Sequence, residues 1–568
     1  MEDKGENRRN WWHDAVFYQI YPRSFFDSDN DGNGDLKGIT QKLDYIKDLG
    51  VDAIWICPCF VSPKADNGYD VADYRDIDPD FGTLDDWKEL CEGIHQRGMR
   101  LFMDLVVNHT SDEHPWFRSA AADRNSPYHD YYIFREGKPD GSEPSNWLSV
   151  FGGSAWKYNE ATDSYYLHLF AEKQPDLNWR NPKVMDEVAD IIAYWADLGV
   201  DGFRLDAFNN IDKDPDFPDV ETLPGEKYGF ASEHYVSRPG VDRYIHELYE
   251  RELGPRNLVT VSETAYCPRQ KALDYCDPAR EEFDMLYMFD LLNFDQEGYD
   301  KFAPRPFRVS ELKKALNYWI EILHGTSYMA LFLGNHDQCR PLSRFGSTGI
   351  FRRQSAKTLA AALYLLEGIP YIYQGEELGL VNNDFSSIEE FRDVEVFNYW
   401  KEHVIERKEN PEAVLRLLNL RSRDSSRAPI PWSAETYGGF SKHEPWMKVG
   451  SQYPVYNAKA EEEDPDSVLH FYRKLMKLRH EKIEVLKGET VWIDQDSDIH
   501  FSYIRKNDDE SLICLNNFSE EEIAVDSGED FVSENAEILL SNYDRKKIGE
   551  TPIILKPWEC LCLGLKNR

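Results

Sequence analysis

Eight short apolar runs recur along the chain, most of them spaced widely enough to fit a helix between one and the next. They are "AVFYQIYP" (15–22), "AIWICP" (53–58), "LFMDLVVNH" (101–109), "GFRLDA" (202–207), "LVTVSE" (258–263), "MLYMFD" (285–290), "MALFLGNHD" (329–337) and "PYIYQGEE" (370–377). Each is short and rich in β-branched and aromatic residues, so each reads as a strand. Between several of them lie helical patterns: Ile39, Leu43, Ile46 and Leu49 on one, Leu84, Trp87, Leu90, Cys91 and Ile94 on another, with Gly50 and Gly98 as stops. Strands alternating with helices predict a parallel α/β sheet, and eight is the closing number of a (β/α)8 TIM barrel. An open doubly wound sheet is the alternative, but no glycine-rich phosphate turn follows the first run.

Polar residues gather at the ends of five runs: Asn108–His109, Arg204–Asp206, Glu263, His336–Asp337 and Glu376–Glu377. The C-terminal ends of barrel strands are where such folds carry chemistry. More than 90 residues separate the third and fourth runs, where one helix would suffice. We therefore expect barrel segments at 1–109 and 178–486, with an inserted subdomain at 110–177. A further insertion at about 378–465 holds a helical pair and the loop "RSRDSSRAPIPWS". After a last helix, "SVLHFYRKLMKLRH", residues 487–568 alternate as short strands such as "IHFSYIRK" and "SLICLNNF", which predicts a small antiparallel β-sandwich.

Charge narrows the partners. With 65 Lys plus Arg against 103 Asp plus Glu, the net charge is −38, a surface that repels nucleic acid and anionic lipid. The start has no apolar run suited to a signal peptide, and no run of 18 apolar residues exists to span a bilayer. The expectation is a cytoplasmic chain without membrane partner, monomeric or weakly self-associating. Nine scattered cysteines, including a "CPC" without the spacer of a zinc knuckle, are expected as reduced, buried thiols.

Strand side chains repeat every two residues, so Arg204 and Asp206 share a face. A carboxylate at an apolar strand end is desolvated and drifts upward in pKa. The arginine beside it should keep Asp206 ionised, as a nucleophile must be; a purely structural salt bridge is an equal reading of that pair alone. Glu263 has no cation adjacent in its segment, which favours the protonated form a proton donor needs. Asp337 follows His336, a donor suited to hydroxyls. One ionised and one protonated carboxyl group is the requirement of glycoside hydrolysis. Separately, Asp27, Asp29, Asp31, Asn33 and Asp35 alternate around Gly32, a pattern able to wrap a hard cation, although Gly38 at the twelfth position excludes an EF-hand. A solvated acidic turn is the plainer reading of that run.

"DLVVNHTSDEHPWF" (104–117), "GFRLDA" (202–207), Glu263 in "VSETA", and "FLGNHDQCR" (332–340) resemble the four motif regions of the α-amylase family, glycoside hydrolase family 13. "QPDLNW" (174–179) resembles its fifth, and the likeness spans nearly the whole chain, most of all to the oligo-1,6-glucosidase and α-glucosidase branch. The resemblance implies Asp206 as nucleophile, Glu263 as general acid and base, and Asp337 on the 2- and 3-hydroxyls of the glucose in the −1 subsite. It implies that Arg204, His109 and His336 hold the same sugar, that Tyr69 stacks on it, and that Asp66 and Arg423 close the pocket at its 4-hydroxyl, giving exo action. Phe170 and Gln174 would lie near the leaving group. It also implies a structural Ca²⁺, or Mg²⁺, at residues 27–35, and no organic cofactor.

The expected activity is release of glucose from the non-reducing end of isomalto-oligosaccharides, maltose or sucrose. Sucrose isomerase or transglucosidase activity and trehalose-6-phosphate hydrolysis are the alternatives. The tight arginine cluster of sucrose isomerases is missing from "FDLLNFDQEGYDKFAPRPFRVS". A non-enzymatic relative of transporter subunits is disfavoured, since all three acids are kept and no membrane helix is present. Relatives that prefer α-1,6 bonds generally carry valine after the nucleophile, where this chain has Ala207.

Overall fold

The computed structural model describes residues 10–298, 300–526 and 536–567. Residues 1–9 of the expected first barrel segment and 527–535 of the C-terminal one lie outside the described residues, as do position 299 and the side chain of Asp290.

All eight apolar runs form strands of one closed parallel barrel: β1 (Phe17–Ile20), β2 (Ala53–Ile56), β3 (Arg100–Val106), β4 (Gly202–Asp206), β5 (Val259–Glu263), β6 (Met285–Tyr287), β7 (Tyr328–Leu331) and β8 (Ile369–Tyr373). Each pairs with its chain neighbours, and Phe17 opposite Tyr371 closes the ring. The strands are buried on both faces, which is why they read as continuous apolar runs. Aromatic rings fill the cylinder: Phe17 stacks on Tyr371 at 4.5 Å and meets Phe102 edge-on at 4.9 Å. Above them Trp55 lies against Tyr287 and Tyr371. The β3–β4 register sets Asp104 opposite Arg204 and Val106 opposite Asp206, so the buried charges of these two strands lie toward their C-terminal ends.

The first amphipathic pattern is two helices, Leu36–Gln41 and Leu43–Asp48, joined at Lys42, and not one. The second is Leu84–Gln96, opened by a capping box between Thr83 and Asp86. Within 110–177, a three-stranded sheet (Phe134–Arg135, Trp156–Asn159, Ser164–Leu167) stands over the barrel. Its apolar side is completed by residues from beyond β4: Phe217, Ala231 and Tyr235 pack with Ile133, Trp147, Trp156 and Leu167. The sequence pattern misses this, because no periodicity links segments so far apart. The C-terminal region is a five-stranded antiparallel sheet with a separate two-stranded ribbon, Ile523–Val525 with Ile553–Leu555. All nine cysteines are buried. Among the described residues, no helix is long and apolar enough to cross a membrane.

Candidate active site

The centre of the site is one guanidinium. Arg204, fully buried on β4, donates to Asp104 Oδ1 at 2.5 Å, to Asp206 Oδ1 at 2.5 Å, and to Glu263 Oε2. Its planar fork puts Asp206 on one terminal nitrogen and Glu263 on the other. The guanidinium also lies 5.2 Å from the Trp55 ring. Glu263 therefore does have a cation, contrary to the expectation from its own segment; it comes from the neighbouring strand, which a linear reading does not see. Burial nonetheless wins at Glu263. Desolvation, opposed by Arg204 and reinforced by the charges of Asp206 and Asp337, lifts its carboxyl to about 8. Asp206 also moves upward: burial raises it, Arg204 counters, and Asp337 adds repulsion. The arginine moderates the desolvation of Asp206 without cancelling it.

Asp337 goes the other way. Burial pushes it up, but His336 at 2.9 Å, Arg423 at 2.6 Å and Arg427 at 2.9 Å hold it well below the usual carboxylate range. Three acids thus meet in one space, Asp206 and Glu263 at strand ends and Asp337 in the loop after β7; burial wins at the first two and the neighbouring cations at the third.

The rest of the pocket is built from loops. Arg423 Nη2 binds Asp66 at 2.9 Å while its Nη1 holds Asp337, so the arginine closes one end. Its Nε and Nη2 also grip Asp393, at the N-terminus of the helix Val394–Trp400. Asp66 is raised to about 7, by burial against the pull of Arg423 and Arg427. Tyr69 packs flat against His336 at 5.1 Å, and its hydroxyl reaches Asp104 at 3.3 Å. His109 lies against Phe170 at 5.1 Å. Burial lowers both His109 and His336 to about 4, so both rings are neutral at ordinary pH.

Gln174 is fully buried, and its amide nitrogen lies 3.1 Å from Asp66 Oδ2 and 3.2 Å from the Tyr69 carbonyl. It stands with Asp66 and Tyr69, and 3.0 Å from His109 Nε2. Phe170 is half-buried against His109 and Phe151. Glu376 and Glu377 lie off the site: Glu377 takes the hydroxyls of Tyr18 and Tyr45, and Glu376 that of Tyr364.

Asp393, Arg427 and Phe151 were missed. Arg427 stands one helical turn after Arg423 in the short helix Asp424–Arg427, a spacing that could have exposed it. Asp393 and Phe151 carry no such signal. Phe151 lies 5.1 Å under the Arg423 guanidinium, and only the tertiary fold brings it there.

Of the acidic run, Asp27, Asp29 and Asp35 bring carboxylate oxygens within 4.8 Å of one another. Asp31 is not in that group: it accepts from the Asn33 backbone, and Asn33 Oδ1 accepts from Arg23. The three that converge suit a hard cation, and burial plus its acidic neighbours raise Asp29. Asp35 also caps the helix Leu36–Gln41, tying this loop to the barrel.

Comparison with known proteins agrees with this geometry. Residues 19–488 match the family model "Alpha amylase, catalytic domain", and 501–561 match "Alpha-amylase SusG C-terminal domain". The chain is 46% identical over 552 residues to an oligo-1,6-glucosidase of Parageobacillus thermoglucosidasius, covering 97% of this chain and 98% of that one. It superposes on a Bacillus licheniformis trehalose-6-phosphate hydrolase mutant with TM-score 0.93 at 39% identity, covering 98% and 100%. It superposes on an isomaltulose synthase from Klebsiella sp. with TM-score 0.92 at 37% identity, covering 98% and 99%. The chain belongs to the α-amylase family and is a glycoside hydrolase of it.

Proposed function

We propose that this enzyme is an exo-acting, retaining α-glucosidase that removes glucose from the non-reducing end of short α-glucosides such as isomalto-oligosaccharides, maltose and sucrose. The observation that carries the reading is Asp206 and Glu263 on adjacent prongs of Arg204, with Asp337 beside them. Two carboxyl groups gripped by the two terminal nitrogens of one guanidinium are held near each other, which supports the retaining spacing of roughly 5–5.5 Å over the wider inverting one.

In this reading Asp206 attacks the anomeric carbon while Glu263, protonated at neutral pH, gives its proton to the departing oxygen. A glucosyl ester forms on Asp206. Glu263, now a carboxylate, takes a proton from water, whose oxygen attacks the same carbon and restores Asp206. Arg204 draws charge from both acids throughout. Asp337, held ionised, would accept hydrogen bonds from sugar hydroxyls, and the neutral imidazoles of His109 and His336 would line the same space. The Asp66–Arg423 pair spans one end of the pocket, which supports exo action. Asp27, Asp29 and Asp35 would hold a structural Ca²⁺ or Mg²⁺ that stiffens the loop ahead of Leu36–Gln41.

Sucrose isomerisation and trehalose-6-phosphate hydrolysis share this intermediate, and solved relatives bear both names. Glucose release from isomaltose, maltose, sucrose and trehalose 6-phosphate, measured side by side, separates them. The expected outcome is free glucose from the first three, appearing first as the α-anomer. Sucrose converted to isomaltulose with little glucose, or a D206N variant with undiminished turnover, would refute the proposal.

A further inference from the structure

We infer that Lys213 is a positioning residue for His109: acting through Asn108, it fixes which imidazole nitrogen carries the proton and how the ring is set in the pocket. The inference rests on the glucosidase reading only in taking His109 to face the sugar.

Lys213 comes from the segment after β4 and is buried. Its ammonium lies 2.7 Å from Asn108 Oδ1 and 3.5 Å from Asp176 Oδ2. An ammonium group can only donate, so the amide of Asn108 must present its oxygen to Lys213 and its nitrogen to the other side. That nitrogen lies 2.9 Å from Asp176 Oδ1 and 3.1 Å from His109 Nδ1. An N–H aimed at Nδ1 requires a lone pair there, which leaves the proton on Nε2. The opposite edge agrees: Nε2 faces the Tyr69 carbonyl at 3.0 Å, an atom that can only accept. The Gln174 amide nitrogen also lies 3.0 Å from Nε2, and its two hydrogens have Asp66 Oδ2 at 3.1 Å and that same carbonyl at 3.2 Å to go to. With the proton moved to Nδ1, the Asn108 and Tyr69 contacts would both set like against like.

The lysine is itself held in place. Arg180 donates to the Lys213 carbonyl and to Asp212 Oδ1, each at 3.0 Å. Asp176 closes the inserted subdomain, where it bridges His109 in an antiparallel pair. The network therefore joins three parts of the chain, the end of β3, the end of the insertion and the segment after β4, at the residue that must be aimed.

A plain buried ion pair between Lys213 and Asp176 would predict a stability cost and nothing more, so the test must separate aim from stability. In the full-length enzyme, K213M is expected to lower kcat/KM for 4-nitrophenyl α-glucoside by roughly tenfold or more. In an H109A background the same change should cost less than about twofold, because the group it acts through is gone. With ¹⁵N-histidine labelling and H109Q to assign the resonance, the His109 Nδ1 and Nε2 shifts should move in K213M. K213M/D176N, which removes both buried charges together, serves where K213M alone does not accumulate. An equal loss in both backgrounds, wild-type kcat/KM in K213M, or unmoved His109 shifts would overturn the inference. Inactivity of the wild-type enzyme on every α-glucoside would instead refute the functional proposal, and the ¹⁵N experiment would still decide the role of Lys213.

Discussion

Glu263→Gln tests the electrostatics of the site from two directions. The fold carries the carboxyl from an ordinary 4.5 to about 8, so ionising it in place costs about 5 kcal/mol more than in the unfolded chain, at 1.36 kcal/mol per tenfold change. The sign follows from linkage. Because the folded value is raised, the favourable contribution of neutral Glu263 is present below pH 4.5 and is lost as pH rises through 8. Glutamine has the same shape and never ionises. E263Q and wild type should therefore melt at similar temperatures near pH 4.5–5, and E263Q should gain steadily on wild type up to about pH 8. Activity should answer in parallel. In wild type, kcat/KM reports the free enzyme, so its alkaline limb should fall near pH 8, as a property of the coupled acids together. E263Q should lose about 10²–10⁴-fold in kcat/KM on maltose or isomaltose, with a smaller loss in kcat/KM on 4-nitrophenyl α-glucoside, whose leaving group scarcely needs a proton. Differential scanning calorimetry across pH 5–9 and initial-rate profiles on both substrate types are the assays. A melting difference that stays flat with pH, or an equal loss on both substrates, would refute the assignment of a raised, proton-donating Glu263.

R423A leaves Asp66, Asp337 and Asp393 without their shared cation, so a loss of about 3–5 kcal/mol in stability is expected at neutral pH. It should bring a raised KM for maltose, read by thermal melting and initial rates. Treatment with EDTA should lower the melting temperature and added Ca²⁺ should restore it, whereas D29N should blunt both responses; calorimetry checks this. Ala207 has φ +43° and ψ +29°, a left-handed conformation costly for any residue with a Cβ and worse for a branched one. A207V should therefore cost about 1–2 kcal/mol and shift the isomaltose-to-maltose rate ratio upward, measured by glucose release from each.

The barrel was legible because its strands are buried on both faces and so announce themselves as short apolar runs of limited length. The three acids stood out as charge at the ends of such runs, but only the family motifs set them apart from Glu376 and Glu377, which end a run and bond to buried tyrosines. What escaped the linear reading lies across strands or within insertions. Glu263 looks cation-free along its own segment, yet Arg204 stands one strand away. Asp393 and Phe151 belong to loops without periodicity, and only Arg423 brings them to the pocket. The neighbours of Gln174 were not legible, because a motif names a residue but not the direction of its side chain. In the acidic run, alternation in sequence does not say which carboxylates converge, and Asp31 and Asn33 have nearer hydrogen-bond partners.

The aromatic filling of the cylinder has a kinetic consequence. Phe17, Trp55, Phe102 and Tyr371 leave nothing exposed below Arg204, whereas Glu263 and Asp337 keep some contact with solvent. In the proposed mechanism the aglycone would leave on that solvent side before water enters, and glucose would depart last. Added glucose should then behave as a competitive inhibitor, and a second sugar held there would compete with water for the glucosyl ester.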